Sequence, residues 1–160
     1  MKISFVIPVH NEQDNLLPLF DEITRMADAE RYEYEIIFVD DGSRDNSLQV
    51  LKSLARDCPA VRYLSLAANR GQSAALGVGF AHAAGDVIIT MDADGQNDPA
   101  DVPAMMARYG EGCDMVTGWR RNRRDTLSKR VGSRIGNGLR NRLTAESIHD
   151  TRRSLKLLRA

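Results

Sequence analysis

Asp92 and Asp94 stand one residue apart at the end of the apolar run Val87–Met91. Two carboxylates so spaced can both turn toward one cation where the chain leaves a strand, and Mg2+ or Mn2+ prefers such oxygen ligands while also holding diphosphate. Gln96 offers a neutral oxygen one step further on. The stretch DADGQNDP is also rich in turn formers, so a solvated loop is the competing reading. Its position directly after VIIT favours the metal.

Asp40 and Asp41 follow IIFV in the same manner, and Gly42-Ser43 lets the chain turn into a helix. One of these carboxylates can accept hydrogen bonds from a base or ribose. Helix capping by Ser43 or Asp45 is the alternative; both can hold together, since two adjacent carboxylates exceed what a cap requires. A third polar cluster, His10-Asn11-Glu12, closes the first apolar run.

These clusters need elements that bring them together. Lys2–Val9 reads as a buried strand, followed by a helix carrying Leu16, Phe20 and Ile23, with Pro18 placed in a tolerant first turn. Glu35–Val39 is a second strand, Asp45–Asp57 a helix with Leu48, Leu51 and Leu54 on one face, and Val61–Leu66 a third strand. Gly71–Ala84 forms a small-residue helix, Val87–Met91 a fourth strand, Pro99–Tyr109 a helix and Met115–Thr117 a fifth strand. Alternating strands and helices with short links predict an α/β fold with a doubly wound, mostly parallel sheet. Right-handed crossovers then place all three clusters along one edge, where ligands bind such sheets.

Several classes are excluded. PVHNE follows the first strand in place of G-x-G-x-x-G, and no G-x-x-x-x-G-K-[ST] occurs, so dinucleotide and P-loop sites lack their phosphate cradles. Gly77-Val78-Gly79 falls inside a helical stretch, where close packing explains it better. The 160 residues, 42% hydrophobic, suffice for one compact domain. Cys58 and Cys113 form no motif with each other or with a histidine and read as free thiols. No secretion signal is visible, and no apolar run reaches the roughly 18 residues of a membrane span.

The net charge of zero conceals a division. Residues 1–119 hold 9 Lys+Arg against 19 Asp+Glu, whereas residues 120–160 hold 13 against 3. The last quarter is therefore built to meet anions. Within it Leu127, Val131, Ile135, Leu139 and Leu143 recur every four residues, with Lys129, Arg130, Arg134, Arg140 and Arg142 on other faces. Such a helix either lies in an anionic membrane interface or packs on the sheet with a solvated cationic face. Trp119 is the only aromatic residue after Tyr109, so stacking on nucleic acid is poorly served and none is expected as a partner.

The segments VIPVHNEQDNL, VDDGSRDNS, NRGQSAALGVGFAHAAGD, MDADGQNDP and TGWR occur in that order over nearly residues 1–120. On these residues the chain resembles the inverting family 2 glycosyltransferases of the GT-A fold, and among them polyprenyl-phosphate glycosyltransferases similar to dolichol-phosphate mannosyltransferase. The resemblance implies that Pro8, His10, Glu12, Val39, Asp41 and Ala93 bind the nucleoside-diphosphate sugar. It assigns Asp92, Asp94 and Gln96 to Mg2+ or Mn2+, with Asp92, Asp94, Arg120 and Arg130 catalytic; Lys129 competes with Arg130 for its role.

The resemblance further implies a donor half over residues 1–120 and, over 121–160, the basic, partly helical start of an incomplete acceptor half. The implied reaction is transfer, with inversion, to a polyprenyl phosphate at the cytoplasmic face of the inner or plasma membrane. An anionic acceptor needs positioning by arginines more than it needs a base. Transfer to a sugar hydroxyl would call on Asp150 as base, and a donor-binding short form with little transfer is the other alternative. Arg152-Arg153 stand where the family keeps small residues after its Asp-Thr pair, here Asp150-Thr151. Either uridine or guanosine suits the donor site.

Overall fold

The structure is a computed structural model that describes residues 1–118 and 155–160. Its sheet is built from β1 (Lys2–Val9), β2 (Glu33–Asp40), β3 (Val61–Ser65), β4 (Val87–Thr90), β5 (Met115–Thr117) and β6 (Lys156–Arg159). The helices are α1 (Gln13–Ala29), α2 (Ser47–Asp57), α3 (Gln72–His82) and α4 (Val102–Gly110), the last preceded by a 3-10 turn at Pro99–Asp101. Strand order is β3-β2-β1-β4-β6-β5. Strands β1 to β4 pair in parallel, while β6 runs antiparallel between β4 and β5.

The apolar pattern explains the layering. In β1 and β2 alternate residues face opposite sides, so Ile3, Phe5, Ile7, Val9, Ile36 and Phe38 join Leu16, Leu19, Ile23, Leu51, Val102 and Met105 in the main core. On the other side Ile37 and Val39 meet Ala75 of α3. Each fully buried Ile or Phe contributes about 1.5–3 kcal/mol through the water it no longer touches. Gly79 explains how α3 approaches so closely: a Cβ there would collide with the Val6 side chain. Close packing is thus the role of Gly79, while Gly77 meets nothing.

Strand β6 is the principal departure from the expected layout. KLLR carries no turn signal and only two core-facing residues' worth of pattern, and it becomes a strand because β4 and β5 leave a gap whose backbone groups it pairs. Leu157 is fully buried there. Residues 156–159, within the stretch expected as the start of an acceptor half, thus pair in the same sheet as β1 to β4. Helix α1 also begins early enough that Pro18 is its sixth residue, inside the helix and past its first turn. Pro18 is exposed and, having no N–H, donates no bond to the ladder of the helix.

The order reverses at β1, since β2 and β3 lie on one side of it and β4 on the other. Loops leaving β1 and β4 diverge from that point, opening a crevice at the C-terminal edge. The opposite edge is closed by a buried carboxylate. Glu35, 5% exposed, accepts from Ser4 Oγ at 2.7 Å and from the Ala84 amide at 2.8 Å, with Arg62 Nη1 at 3.2 Å and Lys2 Nζ at 3.7 Å. Burial pushes its carboxyl upward, but the bonds from Ser4 and Ala84 and the charges of Lys2 and Arg62 outweigh this and hold it below its ordinary value.

A depressed carboxyl stabilises the fold above its unfolded pKa and loses that contribution as pH falls through the folded one. Glu35→Gln is therefore expected to lower unfolding free energy by about 3 kcal/mol at neutral pH, with the difference from wild type shrinking in acid. Urea unfolding at neutral and acidic pH checks this; a difference independent of pH would contradict it.

Candidate functional site

Helices that begin at a sheet edge leave their first amides unpartnered. In α1 and α2 the residue at the N-cap makes no side-chain cap bond. The two loops cap each other instead. The Glu12 amide donates to Ser47 Oγ at 2.9 Å and the Gln13 amide to Asp45 Oδ2 at 3.2 Å. In return the Arg44 amide donates to Asn11 Oδ1 at 2.7 Å and the Asn46 amide to Gln13 Oε1 at 2.8 Å. Asn11 sits at φ 59, which presents its own amide to Ser43 Oγ at 3.0 Å. Burial raises the Asp45 carboxyl, but the Ser47 hydroxyl and amide and the Gln13 amide bring it below its ordinary value.

The adjacent pair Asp40 and Asp41 divide their work. Asp40 accepts from the Ser43 amide at 3.2 Å and from Ser65 Oγ at 3.1 Å, tying the turn to β3. Asp41, 3% exposed, spreads its two oxygens over consecutive amides, Arg70 at 2.7 Å and Gly71 at 2.8 Å, at the start of α3. Gly42 between the loops is at φ +65, and a Cβ there would lie 2.7 Å from the backbone of Ala68 and Asn69. Three loops, after β1, β2 and β3, are thereby locked into one edge.

The crevice beside them is a cleft of about 260 Å3 lined by Pro8, Val9, His10, Glu12, Asp41, Asn69, Gly71, Gln72, Asp92, Ala93 and Asp94. His10 Nδ1 donates to the Asp41 carbonyl at 2.9 Å, which leaves Nε2 to accept from Asn11 Nδ2 at 3.1 Å. Glu12 Oε2 accepts from Asn15 Nδ2 at 2.6 Å. Asp92 Oδ1 accepts from Gln72 Nε2 at 2.6 Å, and Asp94 Oδ1 from the Gln96 amide at 3.0 Å.

The structure thus places Pro8, His10, Glu12, Asp41, Asp92, Ala93 and Asp94 on one cleft. Val39 is not on its wall; its side chain is fully buried under α3, because β2 turns that face toward the smaller core. Gln96 is exposed and is not part of the cleft lining; its backbone N–H closes the Asp94 turn. Arg120, Arg130, Lys129, Asp150, Arg152 and Arg153 lie outside the described residues. Asn69, Gly71 and Gln72 are cleft residues that the motif reading did not single out. Their signal was the polar NRGQ between a strand and a helix at the same edge.

Four carboxylates, Glu12, Asp41, Asp92 and Asp94, face this small volume, and no lysine or arginine is among the described residues lining it. Among the described residues no three His, Cys, Asp or Glu side chains converge as a metal cage. Two carboxylates on one loop without nitrogen or sulfur ligands suit a hard cation that takes its remaining oxygens from a ligand and water.

The Glycosyl transferase family 2 domain matches residues 4–160. The chain is 41% identical over 150 residues to an undecaprenyl-phosphate 4-deoxy-4-formamido-L-arabinose transferase of Edwardsiella ictaluri, covering 92% of this chain and 46% of that protein. The protein of the same name from Yersinia pestis is 42% identical over 151 residues, with 93% and 46% covered. The chain thus spans about half the length of the curated relatives it matches. Among solved structures, glucosyl-3-phosphoglycerate synthase from Mycobacterium tuberculosis, in complex with Mn2+, UDP-glucose and phosphoglyceric acid, superposes with a TM-score of 0.77 at 22% identity, covering 99% of this chain and 56% of that one. A mannosyltransferase from Pyrobaculum calidifontis in complex with GDP-mannose and Mn2+ gives 0.64 at 23% identity, covering 74% and 35%. These neighbours share the GT-A fold with the sheet described above. A domain match across almost the whole length, joined to this fold and its strand-edge cleft, makes the chain a member of glycosyl transferase family 2.

Proposed function

We propose that the cleft binds a nucleoside-diphosphate sugar through a divalent cation and that the protein transfers the sugar, with inversion, to a polyprenyl phosphate. The observation that carries the donor reading is the charge of the cleft. A diphosphate brought among Glu12, Asp41, Asp92 and Asp94 meets four like charges and no described lysine or arginine in the lining, so a cation between them favours its binding. Asp92 and Asp94 are the residues to hold Mg2+ or Mn2+, which when bound offsets the negative charge of the departing diphosphate. Gln96, which the resemblance also assigns to the cation, is exposed two residues beyond Asp94 and outside the cleft lining.

The remaining cleft residues bind and orient. Pro8 and His10 form the wall after β1, and Glu12 and Asp41 offer carboxylate oxygens beside it for ribose hydroxyls or base N–H groups. The imidazole of His10 is held by the Asp41 carbonyl and Asn11, so its face is fixed before a ligand arrives. In the transfer, the bond from the anomeric carbon to the diphosphate oxygen breaks while one forms to an acceptor phosphate oxygen on the opposite face. The acceptor oxygen is already anionic near neutral pH, so no proton has to be removed. Arg120 and Arg130 are proposed to position that phosphate.

The polyprenyl-phosphate acceptor is supported by the names of the relatives in Edwardsiella and Yersinia. The excess of 13 Lys+Arg over 3 Asp+Glu in residues 120–160 supports an anionic surface as the place of reaction, at the cytoplasmic face of a membrane. No helix among the described residues is long and apolar enough to cross a membrane. A donor-binding form with little transfer is the second reading.

Asp92→Asn and Asp94→Asn are each expected to weaken Mn2+-dependent binding of UDP or GDP by roughly tenfold or more, since a hard cation loses a charged ligand. Calorimetry with and without Mn2+ measures it, and equal affinity in wild type and both variants would contradict the cation site. Transfer from a nucleotide sugar to a short-chain polyprenyl phosphate separates the two readings: nucleotide binding without turnover favours the donor-binding form.

Cosedimentation with vesicles is expected to require anionic lipid and to weaken with salt, because ions screen exposed charges beyond about 8 Å at physiological strength. Equal pelleting with neutral vesicles would contradict the electrostatic attachment.

A further inference from the structure

Gln72 is the first residue of α3, and its carboxamide nitrogen donates to Asp92 Oδ1 at 2.6 Å, across from β3–α3 to the end of β4. An exposed glutamine on a loose loop would hold such a bond weakly, since ordering a long side chain costs conformational entropy. The backbone that carries Gln72 is not loose. Asp41 grips the two amides before it, Asn69 Oδ1 also accepts from the Gly71 amide at 3.1 Å, and the loop is seated against Gly42.

We propose that Gln72 is a positioning residue for Asp92, aiming that carboxylate at the cation of the donor site. The inference rests on the cation reading above and deepens it. A carboxylate has about four acceptor positions, so one amide N–H on Oδ1 restrains the rotation of the group while taking a single one of them. The amide is suited to this because it is neutral. An ammonium or guanidinium at the same place would orient Asp92 but would also cancel the charge that attracts the cation. Partners of this kind commonly raise metal affinity on the order of 10–100-fold. The bond also links the site across the sheet: Asp41 after β2 fixes the turn, the turn fixes Gln72, and Gln72 fixes Asp92 after β4.

The test uses the 160-residue chain and Mn2+ alone, following free Mn2+ by electron paramagnetic resonance. Gln72→Met keeps length and helix compatibility but removes the donor; Gln72→Lys keeps a donor and adds charge. Both variants are expected to bind Mn2+ about tenfold or more weakly than wild type. The metal-free thermal midpoint of Gln72→Met should remain that of wild type, which separates positioning from a structural role. Asp92→Asn run alongside distinguishes the failures. Wild-type Mn2+ affinity in Gln72→Met, with affinity lost in Asp92→Asn, would overturn the role of Gln72 and leave the cation site standing. Wild-type affinity in Asp92→Asn would overturn both. A lowered midpoint accompanying weaker binding in Gln72→Met would also overturn the proposal, since the bond would then serve the fold.

Discussion

Backbone amides at the start of a helix must find acceptors, and in this chain that requirement shapes the whole ligand-facing edge. Helices α1 and α2 start side by side and borrow each other's side chains, Ser47 and Asp45 for one, Asn11 and Gln13 for the other. Each such bond contributes about 1 kcal/mol, which is modest singly. Because they are reciprocal, neither loop can move without unpairing amides in the other. Asp41 extends the same logic to the start of α3 by accepting from two amides at once. The result is a rigid rim made from the connections of a sheet, which are ordinarily its most mobile parts.

A rigid rim permits a feature that would otherwise be costly. Four carboxylates are held around a cleft of about 260 Å3. Like charges so confined repel unless something compensates them, and the surrounding hydrogen bonds do part of this by spreading charge onto amides and amide side chains. Asp41 is compensated internally by its clamp on the loop, whereas Asp92 accepts from the Gln72 carboxamide and Asp94 from the Gln96 backbone amide. Asp41 thus serves mainly to build the site, and Asp92 and Asp94 are the pair proposed to hold the cation. That division also explains how membership of glycosyl transferase family 2 and a cleft without a described basic wall are compatible.

Much of this was legible in the sequence where the signal was local. Strands β1 and β5 fall on the expected residues; β1 is largely buried and shows as an apolar run bounded by polar turns, whereas β5 is short and mostly exposed. Helix α2 begins at Ser47, two residues after the expected Asp45, since Asp45 serves as an acceptor for the Ser47 and Gln13 amides and stays outside the helix. The first turn of the helix after Asp98 is tightened to a 3-10 turn, with the Asp98 side chain accepting from the Ala100 amide. What was not legible depends on tertiary pairing. KLLR becomes β6 only because β4 and β5 are there to receive it, and Val39 is buried against α3 because of which side β2 gives to that helix. Gln72 falls inside the expected helix Gly71–Ala84 with nothing to mark it, and its meaning depends on where β4 ends. The roles of Arg120 and Arg130 fall on residues beyond those described.

The most direct measurement of the central claim is a crystal structure of the chain grown with Mn2+ and a nucleoside diphosphate, with the metal located by its anomalous scattering. The account predicts one Mn2+ bonded to carboxylate oxygens of Asp92 and Asp94 and to the diphosphate, with the nucleoside against Pro8, His10, Glu12 and Asp41 and the rim loops unmoved. Mn2+ held by other residues, or nucleotide bound outside that cleft, would contradict it.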